Sequence, residues 1–149
     1  MQYLSVHDIA WINSTLAGKT LKFNFVSLED AMAAQYSYGD STDVERQAAN
    51  LLSTLVTKRP FAYGNTRTGF IAVTTFLDGN GYALKVGDSE AAEIVRQVAT
   101  GQKAAADAIG ELAAPAESAL RPGVSLRSLV THIFNAHAEA INLLAAGDE

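Results

Sequence analysis

Ten consecutive residues, Arg59-Pro60-Phe61-Ala62-Tyr63-Gly64-Asn65-Thr66-Arg67-Thr68, hold the densest chemistry of the 149-residue chain. A Pro-Phe pair and a Gly-Asn step lead directly into an apolar run. If that run is a helix, its first backbone N–H groups have no intrahelical partner. Such groups converge on one spot and attract anions. Gly64 lets the backbone turn without a Cβ clash. Asn65 is a favourable cap. Arg67 sits one residue inside, with a planar fork suited to phosphate oxygens. These residues form a candidate phosphate cradle. A plainer reading stands beside it: Gly-Asn before a helix is ordinary capping, and a single Arg is commonly a surface residue.

Other chemistry is sparse. The chain has no Cys, which excludes disulfides and Cys-based metal sites or nucleophiles. His132 and His137 are five residues apart on one helical stretch, about 140° around the axis, so they do not form the i, i+4 pair of a metal-binding helix. His137 falls on an apolar stripe and reads as a packed, hydrogen-bonded histidine. His7 lies near a helix start and reads as a surface residue. Glu29, Asp30 and Glu90 fall in first turns, where capping and the helix dipole account for them. No Ser/His/Asp or Gly-x-Ser-x-Gly arrangement is present.

The elements that must position the cradle read mostly as helix. Ser5, with Asp8 in the capping-box position, starts a helix to about Leu16 that Gly18 stops. Thr20–Phe25 alternates as a strand or flap arm would. Ser27 caps a helix to about Tyr36. Thr42-Asp43-Val44-Glu45 reads as a capping box opening a helix with Val44, Ala48, Leu51, Leu52, Leu55 and Val56 on its buried face. That helix must end near Lys58, because Pro60 excludes Arg59 from the helical region. Thr66 to about Leu77 is apolar nearly all round, which marks a central, buried helix. Tyr82–Val86 reads as a short extended return. Further helices follow at Asp88 or Ser89 to Gly101 and at Gln102–Leu112. Residues 113–124, with Pro115 and Pro122, read as a linker. Leu126 to Leu144 keeps the helical period as one last helix.

Length and composition fit one globular domain with one core. Hydrophobic residues make up 48% and charged residues 18%, which excludes a disordered chain. The longest uncharged apolar run, Thr68–Leu77, is too short to span a bilayer, so no membrane association is expected. No basic segment followed by an apolar run opens the chain, so no signal peptide is expected and the cytoplasm is the expected compartment. A net charge of -5 without a basic patch argues against nucleic acid as a partner.

The core Pro-Phe-x-x-Gly-Asn-x-Arg-Thr resembles the signature loop of the Fic/Doc family, and the likeness extends over residues 1 to 112. Tyr3-Leu4-Ser5 opens in the manner of the Doc (death-on-curing) branch. Val26–Ala34 is similar to the family's flap and following helix. Leu77-Asp78-Gly79-Asn80-Gly81-Tyr82 resembles the exit from its motif helix. The resemblance implies a mostly α Fic-fold bundle over residues 1–112 with a short β-flap, then the linker, then an extra C-terminal helix over 125–149 docked on the same domain. It implies transfer of AMP or phosphate from a nucleotide to a protein hydroxyl, with ATP and Mg²⁺ as the ligands. Gly64, Asn65 and Arg67 match the phosphate-holding residues, and Phe61 matches the aromatic that seats the loop. Thr66, at a position usually Lys or Gly, offers a hydroxyl to an anion.

Two positions depart from the family pattern. Arg59 stands where the family has its general-base His, and a guanidinium cannot accept a proton. Tyr63 stands where the family has a Mg²⁺-binding acid. Asp78 lies 13 residues beyond Asn65, roughly 20 Å along a helix, too far to substitute. Asp40 and Asp43 can serve only if the fold brings them to the loop. The family's inhibitory pattern, Ser/Thr-x-x-x-Glu-Gly/Asn, is absent, so regulation is expected from another chain such as an antitoxin. The implied function is that of a toxin–antitoxin-related pseudoenzyme that binds nucleotide with weak or no transfer. The alternative is a protein-interaction module, with a target protein as partner, that keeps a vestigial nucleotide site.

Overall fold

A computed structural model of the protein describes residues 2–36, 42–116 and 125–148. Its architecture is a helical bundle with one small antiparallel sheet. The described residues form eight helices: α1 (Val6–Ala17), α2 (Phe25–Ala34), α3 (Val44–Lys58), α4 (Asn65–Gly79), α5 (Asp88–Ala99), α6 (Ala105–Leu112), α7 (Leu126–Ala136) and α8 (Ala138–Ala145). Strands β1 (Tyr82–Leu84) and β2 (Ala113–Pro115) pair antiparallel, with Tyr82 opposite Pro115 and Leu84 opposite Ala113. No helix of the described residues is long and apolar enough to cross a membrane.

Helix α4 is the axis of the bundle. Thirteen of its 15 residues are buried, so no face is left for solvent. Helices α1, α3, α5, α7 and α8 all pack against it. Phe70, Ile71, Val73, Phe76 and Leu77 fill the space between them, joined by Leu51, Leu52 and Leu55 of α3 and by Ile9 and Ile12 of α1. The approach of α3 is closest at Gly69, where a Cβ would lie 3.0 Å from Val56 Cγ1 and 3.5 Å from Leu52 Cδ1.

The signals around α1 act as expected. Ser5 and Asp8 form the capping box of α1. Asn80 closes α4 and ties it to the chain start, accepting from the Gln2 N–H at 2.7 Å and donating to the Gln2 carbonyl at 2.8 Å. Arg127 of α7 stacks over Trp11 of α1 at 4.6 Å from the ring centroid.

The structure departs from the sequence reading in several places. Thr20–Phe25 is not a strand: it makes one isolated bridge, Phe23 to Phe61. A flap with one bridge has no ladder to extend, and Asn24 starts α2 directly by accepting from the Ser27 N–H at 3.0 Å. Ser27 is therefore inside the helix. Asp43, not Thr42, caps α3, through the Arg46 N–H. Helix α6 starts at Ala105, after a left-handed turn at Gly101. Ala113–Pro115, read as the start of a linker, is a strand because β1 offers it an edge; residues 117–124 of that linker lie outside the described residues.

A further departure is the last helix, which breaks in two. His137, at φ -121 and ψ 30, ends α7 and precedes α8. Its Nδ1 meets Asp88 Oδ1 at 2.9 Å, and Asp88 Oδ2 accepts from the Ala140 N–H at 3.2 Å. The first turn of α8 thus finds its acceptor on α5. An apolar period cannot reveal such a break, because α7 and α8 both present apolar residues to the same core.

Gly69→Val should place branched carbons where α3 and α4 touch. We expect a loss of about 1–3 kcal/mol, read as a lower urea midpoint at unchanged slope. An unchanged midpoint would mean that α3 is free to shift away from α4.

Candidate functional site

The loop between α3 and α4 is built to hold one shape. Arg59 ends α3 in the left-handed region, at φ 47 and ψ 63, the one non-glycine residue with positive φ among the described residues. Pro60 excludes the right-handed helical region at Arg59, and the chain turns there instead of extending. The Pro60 carbonyl accepts from the Asn24 N–H at 2.7 Å. Phe61, 5% exposed, is buried beneath the flap with its ring 5.8 Å from that of Phe23.

Two amide side chains lock the rest of the turn. Asn65 is 1% exposed. Its Oδ1 accepts from the Phe61 N–H and its Nδ2 donates to the Phe61 carbonyl, both at 2.9 Å. Asn13 of α1 donates from Nδ2 to the Tyr63 carbonyl at 3.0 Å and to Thr68 Oγ1 at 3.2 Å. Asn65 is thus the first residue of α4 rather than its cap, and its side chain faces back to Phe61. The N-cap is Gly64, left-handed at φ 78. That conformation suits glycine, and a Cβ there would also lie 3.3 Å from Asn13 Nδ2.

The donors of this turn converge on an acceptor from the far end of the described chain. Asp148 Oδ1 accepts from the Thr66 N–H at 2.9 Å. Asp148 Oδ2 accepts from the Arg67 N–H and from Arg67 Nε, each at 2.9 Å. The Gly64 N–H donates to the Asp148 carbonyl at 3.3 Å. Asp148 is 3% exposed, so its charge is balanced by Arg67 and the start of α4 rather than by water. Sequence reasoning identified the donors and missed this acceptor. Asp148 is 82 residues from Thr66 in sequence, and its setting, Ala146-Gly147-Asp148-Glu149, carries no motif.

The remaining candidates fall elsewhere. Arg59 is exposed beside the turn. Tyr63 is half-buried and held through its main chain. Thr66 is buried, with its N–H rather than its hydroxyl in the observed contact. Asp43 is committed to capping α3, and Asp40 lies outside the described residues. His7 is exposed, and His137 is the packed, hydrogen-bonded residue expected.

The arrangement binds negative charge. Backbone N–H groups and a guanidinium only donate. The residues do not fit a Mg²⁺ ion: that ion leans on carboxylates, position 63 supplies a phenol, and the described residues contain no group of three or more His, Cys, Asp or Glu side chains able to hold a metal.

The model of the Fic/DOC family matches residues 3–77, just over half of the chain, a span that contains the turn and its donors. No significant match was found among curated proteins or solved structures.

Asn65→Ala should leave the buried Phe61 N–H and carbonyl unpaired. The expected cost is about 2–3 kcal/mol, measured by urea denaturation. A loss below about 0.5 kcal/mol would show that water or a shifted turn replaces the Asn65 latch.

Proposed function

We propose that this chain, which belongs to the Fic/DOC family, is a Doc-like member whose α4 N-terminus binds the phosphates of a nucleotide such as ATP without efficient transfer to a protein hydroxyl. The observation that carries the reading is the carboxylate of Asp148 on the turn. An anion already sits on the Thr66 and Arg67 N–H groups and on Arg67 Nε. A phosphate oxygen makes the same kind of contact at a helix start. Gly64, Thr66 and Arg67 supply donors, while Asn65 and Phe61 hold the turn that aims them.

Catalysis is the weak part of the site. A family transfer needs a base for the target hydroxyl, and Arg59 stands at that position. Loss of a general base costs about 10²–10⁴-fold in rate. Tyr63 replaces the acid that would hold Mg²⁺, so the turn lacks the carboxylate on which that ion leans. In this reading the protein is a pseudoenzyme of the toxin–antitoxin type, acting in the cytoplasm with an antitoxin or target protein as partner. A second reading, a protein-interaction module with a vestigial nucleotide site, is favoured by the same contact, since the cradle is filled by the chain itself.

Calorimetric titration of ATP separates the two. Binding to wild type or to Asp148→Asn, abolished by Arg67→Ala in a protein whose circular dichroism stays native, is the expected result. Folded wild type and folded Asp148→Asn that both take up no ATP would remove the phosphate-site reading and leave the interaction module. The pseudoenzyme part is checked by Arg59→His with Tyr63→Asp. This pair should yield labelling of a protein target from labelled ATP, where wild type gives at least 10²-fold less. A folded, ATP-bound double variant that labels nothing would count against simple decay of a transferase site.

A further inference from the structure

We infer that the Asn80-Gly81 step is a self-modification site, where loss of the Asn80 side-chain amide as ammonia irreversibly releases the start of the chain from α4. It is the one Asn-Gly pair in the 149 residues. Glycine has no Cβ to shield its backbone nitrogen, and that nitrogen can attack the preceding side-chain amide. A base removes the Gly81 N–H proton. The nitrogen bonds to Asn80 Cγ, the Cγ–Nδ2 bond breaks, and ammonia leaves with a proton taken from water. Water then opens the five-membered imide. Opening at Cγ leaves an aspartate at position 80. Opening at the main-chain carbonyl routes the backbone through Cγ as an isoaspartate. Water and hydroxide are the co-reactants.

The amide at stake holds the start of the chain. Asn80 Oδ1 accepts from the Gln2 N–H at 2.7 Å, and Nδ2 donates to the carbonyls of Gln2 and Phe76, each at 2.8 Å. Gly79 lets Gln2 lie close to α4: a Cβ there would stand 2.8 Å from Gln2 Oε1 and 3.7 Å from Gln2 Cβ. An ionised carboxylate has no hydrogen to donate. After the reaction an oxygen faces the Gln2 and Phe76 carbonyls where Nδ2 now donates. Acceptor then meets acceptor, and the clasp cannot close again. An isoaspartate also inserts a main-chain carbon between α4 and β1.

The fold delays the step. At ψ 25 the Gly81 nitrogen lies on the far side of the Asn80 Cα–C bond from Cβ, whereas attack on Cγ needs the two nearly eclipsed. Turning that bond moves either the Asn80 side chain off Gln2 or Gly81 off the sheet, where its carbonyl accepts from the Ala116 N–H at 2.9 Å. The site therefore reacts in molecules whose clasp or β1–β2 pairing has opened, and each reaction makes the opening permanent.

Peptide mapping by mass spectrometry, on the whole chain kept at mildly alkaline pH, follows conversion at position 80. Folded wild type should convert about 10-fold or more slowly than the urea-unfolded chain, as expected if attack waits on breaking the three clasp hydrogen bonds. Gln2→Pro removes the N–H that Asn80 accepts. In a protein whose circular dichroism stays native, it should convert roughly 2- to 10-fold faster than wild type. No conversion in the unfolded chain would overturn the site. Equal rates in folded and unfolded wild type, or in wild type and folded Gln2→Pro, would overturn the clasp as its gate. Should Gln2→Pro not fold, the folded-against-unfolded comparison decides.

Release is read separately, by hydrogen exchange at the Gln2 amide. Asn80→Asp stands for the first product and should exchange there about 10-fold or more faster than wild type. Unchanged protection would overturn the release. Should Asn80→Asp not fold, the same reading on wild type aged to conversion decides.

Discussion

The first N–H groups of α4 need acceptors, and the architecture around them follows from that need. A helix start always carries such donors. Most helix starts satisfy them with water or a cap side chain. Here α4 is buried on nearly all sides, and its cap position is Gly64, which has no side chain to offer. Asn65, the polar residue at hand, is turned toward Phe61. The donors are left aimed at one point, with Arg67 beside them, and an anion is the chemistry that point demands. Asp148 meets the demand with both carboxylate oxygens.

Burial makes this contact consequential. The Arg67 and Asp148 side chains are 17% and 1% exposed. Desolvating such a pair costs free energy that only good geometry and further hydrogen bonds offset. The two backbone N–H groups supply those further bonds. The pair is thus weak evidence for stability. Removing Arg67 alone would leave a carboxylate buried with neutral donors, whereas removing the carboxylate alone leaves donors that a ligand can use. That asymmetry is why the contact bears on function as well as on packing.

The turn itself shows a division of labour among polar residues of similar type. Asn13 and Asn65 both work on the main chain, one from α1 and one from within α4. Neither side chain is hydrogen-bonded to Asp148. Their task is to hold Gly64 and Tyr63 so that the N–H groups stay parallel. Arg59 and Phe61 fix the approach, the first by a left-handed residue before Pro60 and the second by burial under the flap. A cradle of backbone donors depends on such supports more than on its own side chains, because the donors are the same in every sequence.

What the sequence determined by itself was local. The Ser5–Asp8 capping box, the stop before Pro60, the all-round burial of α4 and the convergent donors at Gly64–Arg67 each depend on residues within a few positions of one another. Caps shifted by one to three residues, as at Gly64 and Asn24, because neighbouring polar residues compete for the same N–H groups and packing chooses between them. The tertiary structure alone decided the rest. The break at His137 exists because Asp88, on another helix, can accept from the first turn of α8. The occupant of the cradle is Asp148 because α8, once docked through Ile141 and Leu144, ends beside the start of α4. Periodicity and capping are short-range, whereas a contact 82 residues apart is set by where whole helices come to rest.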